Sequence, residues 1–304
     1  MAILDYAPWR PPLVIGIVGE SGGGKTRSAL ELARGMVGPA GKITLIDTEM
    51  GRAGLERPHC EPWQHPKLVP PFSPGRYVEA IAEVQATQPD CIIIDSASHE
   101  WSGLGGCLEM VDAEAKKNEF AKWAHPTAQH KRFVNQLLVS PMPIILCLRA
   151  KEKVRQATNP ATGKKEIVSD GLQPIQREGF VFELTISVLV QNGGFPVILK
   201  GNEAINHAFP PDRRVGRAAG EALAQWIEAM TAGTDPALDR LKRGAEAAAE
   251  KGGVALRDWF MGLSNDERAR IKPTTDNLKS IAAEADRLAA LAAIAEPEGA
   301  SCGG

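Results

Sequence analysis

What this 304-residue sequence lacks narrows its class before any motif is read. It lacks a charge excess, since 35 Lys and Arg stand against 37 Asp and Glu for a formal net charge of −2. No global basic field draws it to nucleic acid or to an anionic membrane, so any DNA contact must come from a local patch. It has no apolar run approaching the roughly 18 residues that span a bilayer, and no basic leader followed by an apolar stretch. Its cysteines, Cys60, Cys91, Cys107, Cys147 and Cys302, are scattered and odd in number, and two lie in apolar strands. That pattern fits reduced thiols and not a disulfide framework. There is no internal repeat. The expectation is a soluble cytoplasmic protein with no membrane association, long enough for one large α/β domain and a small appendage.

What is present is a regular succession of short, β-branched apolar runs separated by helical patterns. The runs are Leu13 to Val18, Ile43 to Asp47, Cys91 to Asp95, Pro143 to Leu148, Phe180 to Val190 and Pro196 to Leu199. Helical stretches at Thr26 to Met36, Pro74 to Thr87 and Thr127 to Val139 fill most gaps. This order predicts an α/β fold, a mostly parallel sheet flanked by helices. The last two runs are joined through Asn192-Gly193-Gly194, which predicts an antiparallel edge hairpin. Beyond Gly220 the composition turns to alanine and charge, with helix-prone stretches at Ala222 to Met230, Pro236 to Lys251, Val254 to Leu263 and Asn277 to Ala293. The expected domains are a core over 1–230, a small helical region over 231–293 and a disordered tail over 294–304.

The first run leads directly into Gly19, Glu20, Ser21, Gly22, Gly23, Gly24, Lys25 and Thr26, and then into a helix. Strand, glycine loop and helix in that order are the Walker A arrangement, which implies a bound nucleotide. Glycines let backbone N–H groups curl around phosphate, Lys25 reaches the β and γ phosphates, and Thr26 ligates Mg²⁺. The helix dipole adds its positive end. The run Cys91 to Ile94 ends in Asp95, which suits the Walker B acid that holds the Mg²⁺ shell. Hydrolysis also needs a group that orients or deprotonates water. The position after Asp95 is Ser96, so the base is expected elsewhere: Glu49, at the end of the run Ile43 to Asp47, leads, and Glu100 is the runner-up.

Together GESGGGKT, LIDTE and IIIDS resemble the RecA-type ATPases. The segment Ile94 to Gly106, with its IDS and HEW signatures, is similar more narrowly to the Sak-type group of phage-encoded annealing and recombination ATPases. The resemblance covers roughly residues 13 to 230. It implies a RecA-like P-loop fold, ATP with Mg²⁺ as cofactors, catalysis by Glu49 and Lys25, and Mg²⁺ held by Thr26 and Asp95. It further implies single-stranded DNA as partner, a single-strand-binding protein as a further one, and assembly into a ring or filament in a bacterial host cytoplasm. Only about a dozen residues precede the first strand, where RecA itself carries elements that dock on the next protomer.

In that family DNA is held by the loops after the Walker B strand and the next strand, here about Ser98 to Phe120 and Lys151 to Gln176. The second carries Lys151, Lys153, Arg155, Lys164 and Lys165 around a flexible tip, Thr158 to Gly163, with Glu152, Glu166 and Asp170 opposing them. Phosphate contact and a hairpin decorated for solubility are both open readings. The first loop offers His99, Trp101, Lys116, Lys117 and Trp123; Trp101 is either a base-stacking residue or a packing anchor. Arg149 is a nucleotide-binding candidate as a γ-phosphate sensor, with a trans-acting finger or a plain salt bridge as alternatives. His59, Cys60 and His65 match no common zinc spacing. Two other functions stay in view: a nucleotide-gated loader or scaffold for replication proteins, and a P-loop small-molecule kinase, which the lysine-dominated segment and Glu49 fit less well.

Overall fold

The computed structural model describes residues 13–114, 118, 121–158, 163–191, 193–230, 236–272 and 275–295. The chain divides into two compact units, Met1–Met230 and Thr231–Gly304. In the first, the strands are β1 (Val14–Gly19), β2 (Ile43–Asp47), β3 (Cys91–Asp95), β4 (Ile144–Thr158), β5 (Lys165–Pro174), β6 (Ile186–Val190) and β7 (Pro196–Lys200). They form one sheet in the order β2-β3-β4-β1-β6-β7, with β5 paired to β4. The pairs among β1, β2, β3, β4 and β6 are parallel, whereas β4 with β5 and β6 with β7 are antiparallel.

Strands buried on both faces need apolar residues at every position, which is why these runs show no alternation. All residues of β1, β2, β3 and β6 are buried. Successive side chains then point to opposite cores. Ile15, Ile17, Leu45, Ile93 and Ile145 enter one cluster, and Val14, Val18, Ile46, Ile92, Ile94 and Ile144 the other. The helices that cover them are α1 (Lys25–Val37), α2 (Arg57–Cys60), α3 (Pro74–Ala86), α4 (Ser98–Ser102), α5 (Cys107–Ala113), α6 (Ala121–Leu138), α7 (Phe180–Glu183), α8 (Glu203–Asn206) and α9 (Arg217–Met230). Leu30 and Leu32 of α1 and Leu223 of α9 fill the first cluster; Tyr77 and Ile81 of α3 and Phe133 and Leu137 of α6 fill the second. The backbones of α1 and α9 meet where both offer glycine. A Cβ on Gly35 would stand 2.0 Å from the Arg217 carbonyl oxygen, and one on Gly220 would stand 2.1 Å from that of Leu32.

Two expectations of strand extent are corrected. The run Phe180 to Val190 is not one strand: Gly179, at φ 86°, starts the single turn α7, which buries Phe180 and Val181 before β6 begins at Ile186. A continuous apolar run cannot by itself distinguish a buried turn of helix from a buried strand. The strand expected to end at Leu148 instead runs on to Thr158 and pairs with β5, so within the segment Lys151 to Gln176 the described residues form the two arms of a β-hairpin, the form in which the solubility reading had cast it. It is solvated on both faces, so it carries no apolar period that would announce it. Residues 159–162 of the expected flexible tip lie outside the described residues.

The second unit holds α10 (Pro236–Ala249), α11 (Gly253–Met261), α12 (Asn265–Ile271) and α13 (Thr275–Ala295) around Leu241, Ala245, Ala249, Ile271, Leu278 and Ala282. Helix α12 was not anticipated, although Ser264 and Glu267 form a capping box at its start, a signal the sequence does carry. Helix α13 extends to Ala295, two residues into the segment expected as tail, and 296–304 lie outside the described residues. No helix among the described residues is long and apolar enough to cross a membrane.

Candidate functional site

Parallel strands β1, β2 and β3 end at one edge of the sheet and β4 passes that edge at Arg149, so these positions share one cleft. From β1 the chain turns through the glycine loop, closed by Gly23 N–H donating to the Glu20 carbonyl at 3.1 Å, and enters α1 at Lys25. Gly22 (φ 80°) and Gly24 (φ 84°) take the left-handed backbone that only glycine adopts without strain, and no atom lies within 4 Å of where a Cβ would stand. The loop therefore leaves no side chain between the backbone of Gly22 and Gly24 and the cleft, and ends in a helix N-terminus. Lys25, nearly buried, donates from Nζ to the Glu20 carbonyl at 2.7 Å, so its ammonium stays at the loop's rim.

At the end of β3, Asp95 is 3 % exposed and accepts a hydrogen bond from Thr26 Oγ1 at 2.5 Å. Burial raises its pKa to about 6; the Thr26 hydrogen bond and the Lys25 charge oppose that rise, while the Glu49 and Asp47 charges add to it. A carboxylate and a hydroxyl in contact at the mouth of a phosphate loop are the hard oxygen donors that Mg²⁺ takes, so this pair fits that ion.

Glu49 follows β2, which lies beside β3 with Asp47 opposite Asp95. Its Oε1 accepts from Arg149 Nη2 at 2.7 Å and Nε at 3.0 Å, and Arg149 stands on β4, the strand between β1 and β3. Arg52 lies 3.7 Å from the other carboxylate oxygen. Of the three roles open to Arg149, this structure displays the salt bridge, at the cleft's wall. His99, assigned to the DNA loop from sequence, lies behind Glu49. Its Nε2 is 3.9 Å from Glu49 Oε1, its Nδ1 bonds Thr48 Oγ1 at 2.8 Å, and its ring stacks on Phe72. Burial first, then the Arg149 charge, pushes the His99 pKa down.

One cleft thus joins Ser21, Gly22, Gly24, Lys25, Thr26, Glu49, Asp95 and Arg149, with Arg27, Arg52, Ala53, Leu55 and Glu56 completing its wall. The last five carry no spacing signal. A second cleft adjoins the other side of the glycine loop, lined by Gly22 to Gly24, Arg27, Ser28, Glu31, Gly193, Gly194, Arg214 and Val215.

Glu100 is corrected as a base. It is fully buried, accepts from His130 Nδ1 at 2.9 Å, Cys107 Sγ at 3.4 Å and Gln176 Nε2 at 3.1 Å, and does not line the cleft. Trp101 is stacked on Trp123 with ring centroids 5.9 Å apart and edge-on to His130, which is the packing-anchor reading. On the hairpin, Arg155 pairs with Asp170 at 2.7 Å and Lys153 with Glu178 at 3.9 Å, while Lys151, Lys164 and Lys165 are exposed. Lys116 and Lys117 lie outside the described residues. The His59, Cys60 and His65 group is dispersed: His59 is exposed, Cys60 is in the core with its thiol pKa pushed up to about 11, and His65 bonds the buried Asp47 at 2.5 Å.

A family model described as an AAA domain matches residues 12–184, the span that contains every wall of the first cleft. A comparison with curated proteins finds no match.

Proposed function

The chain belongs to the AAA domain family, whose members bind nucleotide on a P-loop, and on that premise we propose that it hydrolyses ATP with Mg²⁺ and holds single-stranded DNA, promoting homologous recombination or strand annealing. In this reading it is a phage-type protein of the bacterial host cytoplasm that acts as an oligomer, beside a single-strand-binding protein. The glycine loop and Lys25 hold the phosphates; Thr26 and Asp95 hold Mg²⁺. When bound, the ion neutralises charge on the β and γ phosphate oxygens. The space between the glycine loop and Gly193-Gly194 takes the base and ribose. Arg149 leaves Glu49 for the γ-phosphate, and the freed carboxylate orients the attacking water and accepts its proton.

One observation carries the DNA half of this reading. Strand β4 is continuous from the core, past Arg149 in the cleft wall, into an exposed arm bearing Lys151, Lys153 and Arg155, with Lys164 and Lys165 on the return. Cations on an extension of a cleft strand are where a hydrolysis cycle can alter a grip on phosphates. The test is ATP turnover with and without single-stranded DNA, alongside binding at two salt concentrations. DNA should raise turnover, and log affinity should fall with log salt with a slope of about −0.7 per phosphate contacted. Replacing Lys151 and Lys165 by Glu should flatten that slope. Turnover indifferent to DNA, with no salt-dependent binding, sinks the proposal.

A second reading, a nucleotide-gated loader or scaffold, draws on the second unit. There Leu256, Trp259, Phe260 and Leu278 line an apolar groove between α11 and α13. ATP-dependent assembly without any DNA effect on turnover would favour it.

A further inference from the structure

Among the described residues, the hairpin is solvent-exposed along most of its length and touches the core at its root, where Ala150 and Leu172 pack on the second cluster. Beside that packing, the root is held by a tie that is polar and buried. Gln176, two residues past β5, donates from Nε2 to the Ala97 carbonyl at 3.3 Å and to Glu100 Oε2 at 3.1 Å, and its Oε1 accepts from Arg177 N–H at 2.8 Å. Glu100 spends its other oxygen on His130 of α6 and Cys107 of α5. The backbone runs parallel to this side-chain tie: Arg149 N–H donates to Ser98 Oγ at 2.9 Å, and Ile175 N–H donates to the Arg149 carbonyl at 2.6 Å. Ala97 and Ser98 are the second and third residues after Asp95, and Ala97 N–H is bound to the Cys147 carbonyl of β4.

We propose that Glu100 is a positioning residue whose carboxylate, through Gln176, fastens the root of the hairpin to the segment carrying Asp95, so that the two move as one body. A buried carboxylate with three donors from three separate elements has one arrangement that satisfies it, and any tilt of the hairpin alone leaves polar groups unpaired inside the protein. Such a tie transmits displacement between the cleft, at Asp95 and Arg149, and the arm. Apolar packing alone, of the kind Ala150 and Leu172 make at the same root, would permit sliding. The inference rests on reading the cleft as the nucleotide site and the arm as the DNA-contacting element.

The test uses the full chain, ATPγS with Mg²⁺ and a thymidine oligonucleotide. Hydrogen exchange of the β4 and β5 amides is followed with and without nucleotide, and ATPγS affinity is measured with and without the oligonucleotide. In the wild type, nucleotide should change exchange at the hairpin root, and the oligonucleotide should change ATPγS affinity by about 5-fold or more, the usual scale of coupling. Glu100→Gln and Gln176→Met should bind ATPγS alone as the wild type does, yet lose both responses. Gln176→Met leaves Glu100 bound to His130 and Cys107, so it decides the matter if Glu100→Gln fails to fold. A merely structural role would lower the melting temperature and leave both responses intact, which overturns the proposal, as does a wild-type hairpin indifferent to nucleotide. An exchange response lost in the variants without any oligonucleotide binding keeps the tie and removes the DNA reading.

Discussion

Asp95→Asn, in protein stripped of nucleotide and Mg²⁺, should stabilise the fold at neutral pH while abolishing Mg²⁺-dependent nucleotide binding. The carboxyl is almost wholly buried, and its pKa rises from the ordinary 3.8 to about 6, chiefly through desolvation. A raised folded-state pKa means that between these two values the folded protein binds more protons than the unfolded chain. Stability therefore falls as pH rises through that window and stays reduced above it. The gap corresponds to roughly 3 kcal/mol, an upper figure for what the ionised group withholds from the fold at neutral pH. Asn keeps an oxygen to accept from Thr26 Oγ1 and carries no charge to desolvate. Urea unfolding across pH 3 to 8, with the m-value checked for constancy, measures the difference. The variant's advantage should be full above about pH 6 and vanish toward pH 4, following the titration window. Adding Mg²⁺ and nucleotide should reverse the order, because only the wild type gains binding energy. An Asn variant no more stable than wild type at neutral pH, or an advantage that does not shrink on acidification, refutes the account of Asp95 as an acid held in its charged form against its surroundings for a cation.

Glu49→Gln should leave nucleotide affinity nearly intact and cut turnover by roughly 100-fold, the scale of lost acid–base help, and wild-type turnover in that variant removes Glu49 from the role. Gly35→Ala should destabilise the first unit by about 1–3 kcal/mol or more, because the new methyl has no room against the Arg217 carbonyl; calorimetry showing an unchanged midpoint would mean that α1 and α9 separate freely. His65→Ala should lower stability by about 1–3 kcal/mol by stripping a hydrogen-bond partner from buried Asp47, and a denaturation midpoint equal to wild type would show that solvent replaces the imidazole.

Elements whose cause is local were legible. The apolar runs of β1, β2 and β3, the glycine loop and the acid ending β3 each follow from residues adjacent in the chain, where periodicity, positive φ and phosphate chemistry act over a few positions. The hairpin stood only as one of two open readings, and the extent of its strands was not legible because neither of its faces is buried, so burial left no period in its sequence. Glu100 sat five residues past Asp95 and looked available as a base. Its role was decided by His130 and Gln176, 30 and 76 positions away, which take it into the interior.

By itself, then, the sequence determined a nucleotide-binding P-loop and the acids near it, because a strand, a glycine turn and a helix start are set by short-range sterics and backbone hydrogen bonding. The tertiary structure alone decided the neighbours. Placing β4 between β1 and β3 brings Arg149 to Glu49 across 100 positions of chain, and the same strand order roots the exposed arm beside Asp95. Strand order is a property of how whole faces pack, since each strand is apolar on both sides and carries no local mark of which strand it will lie against.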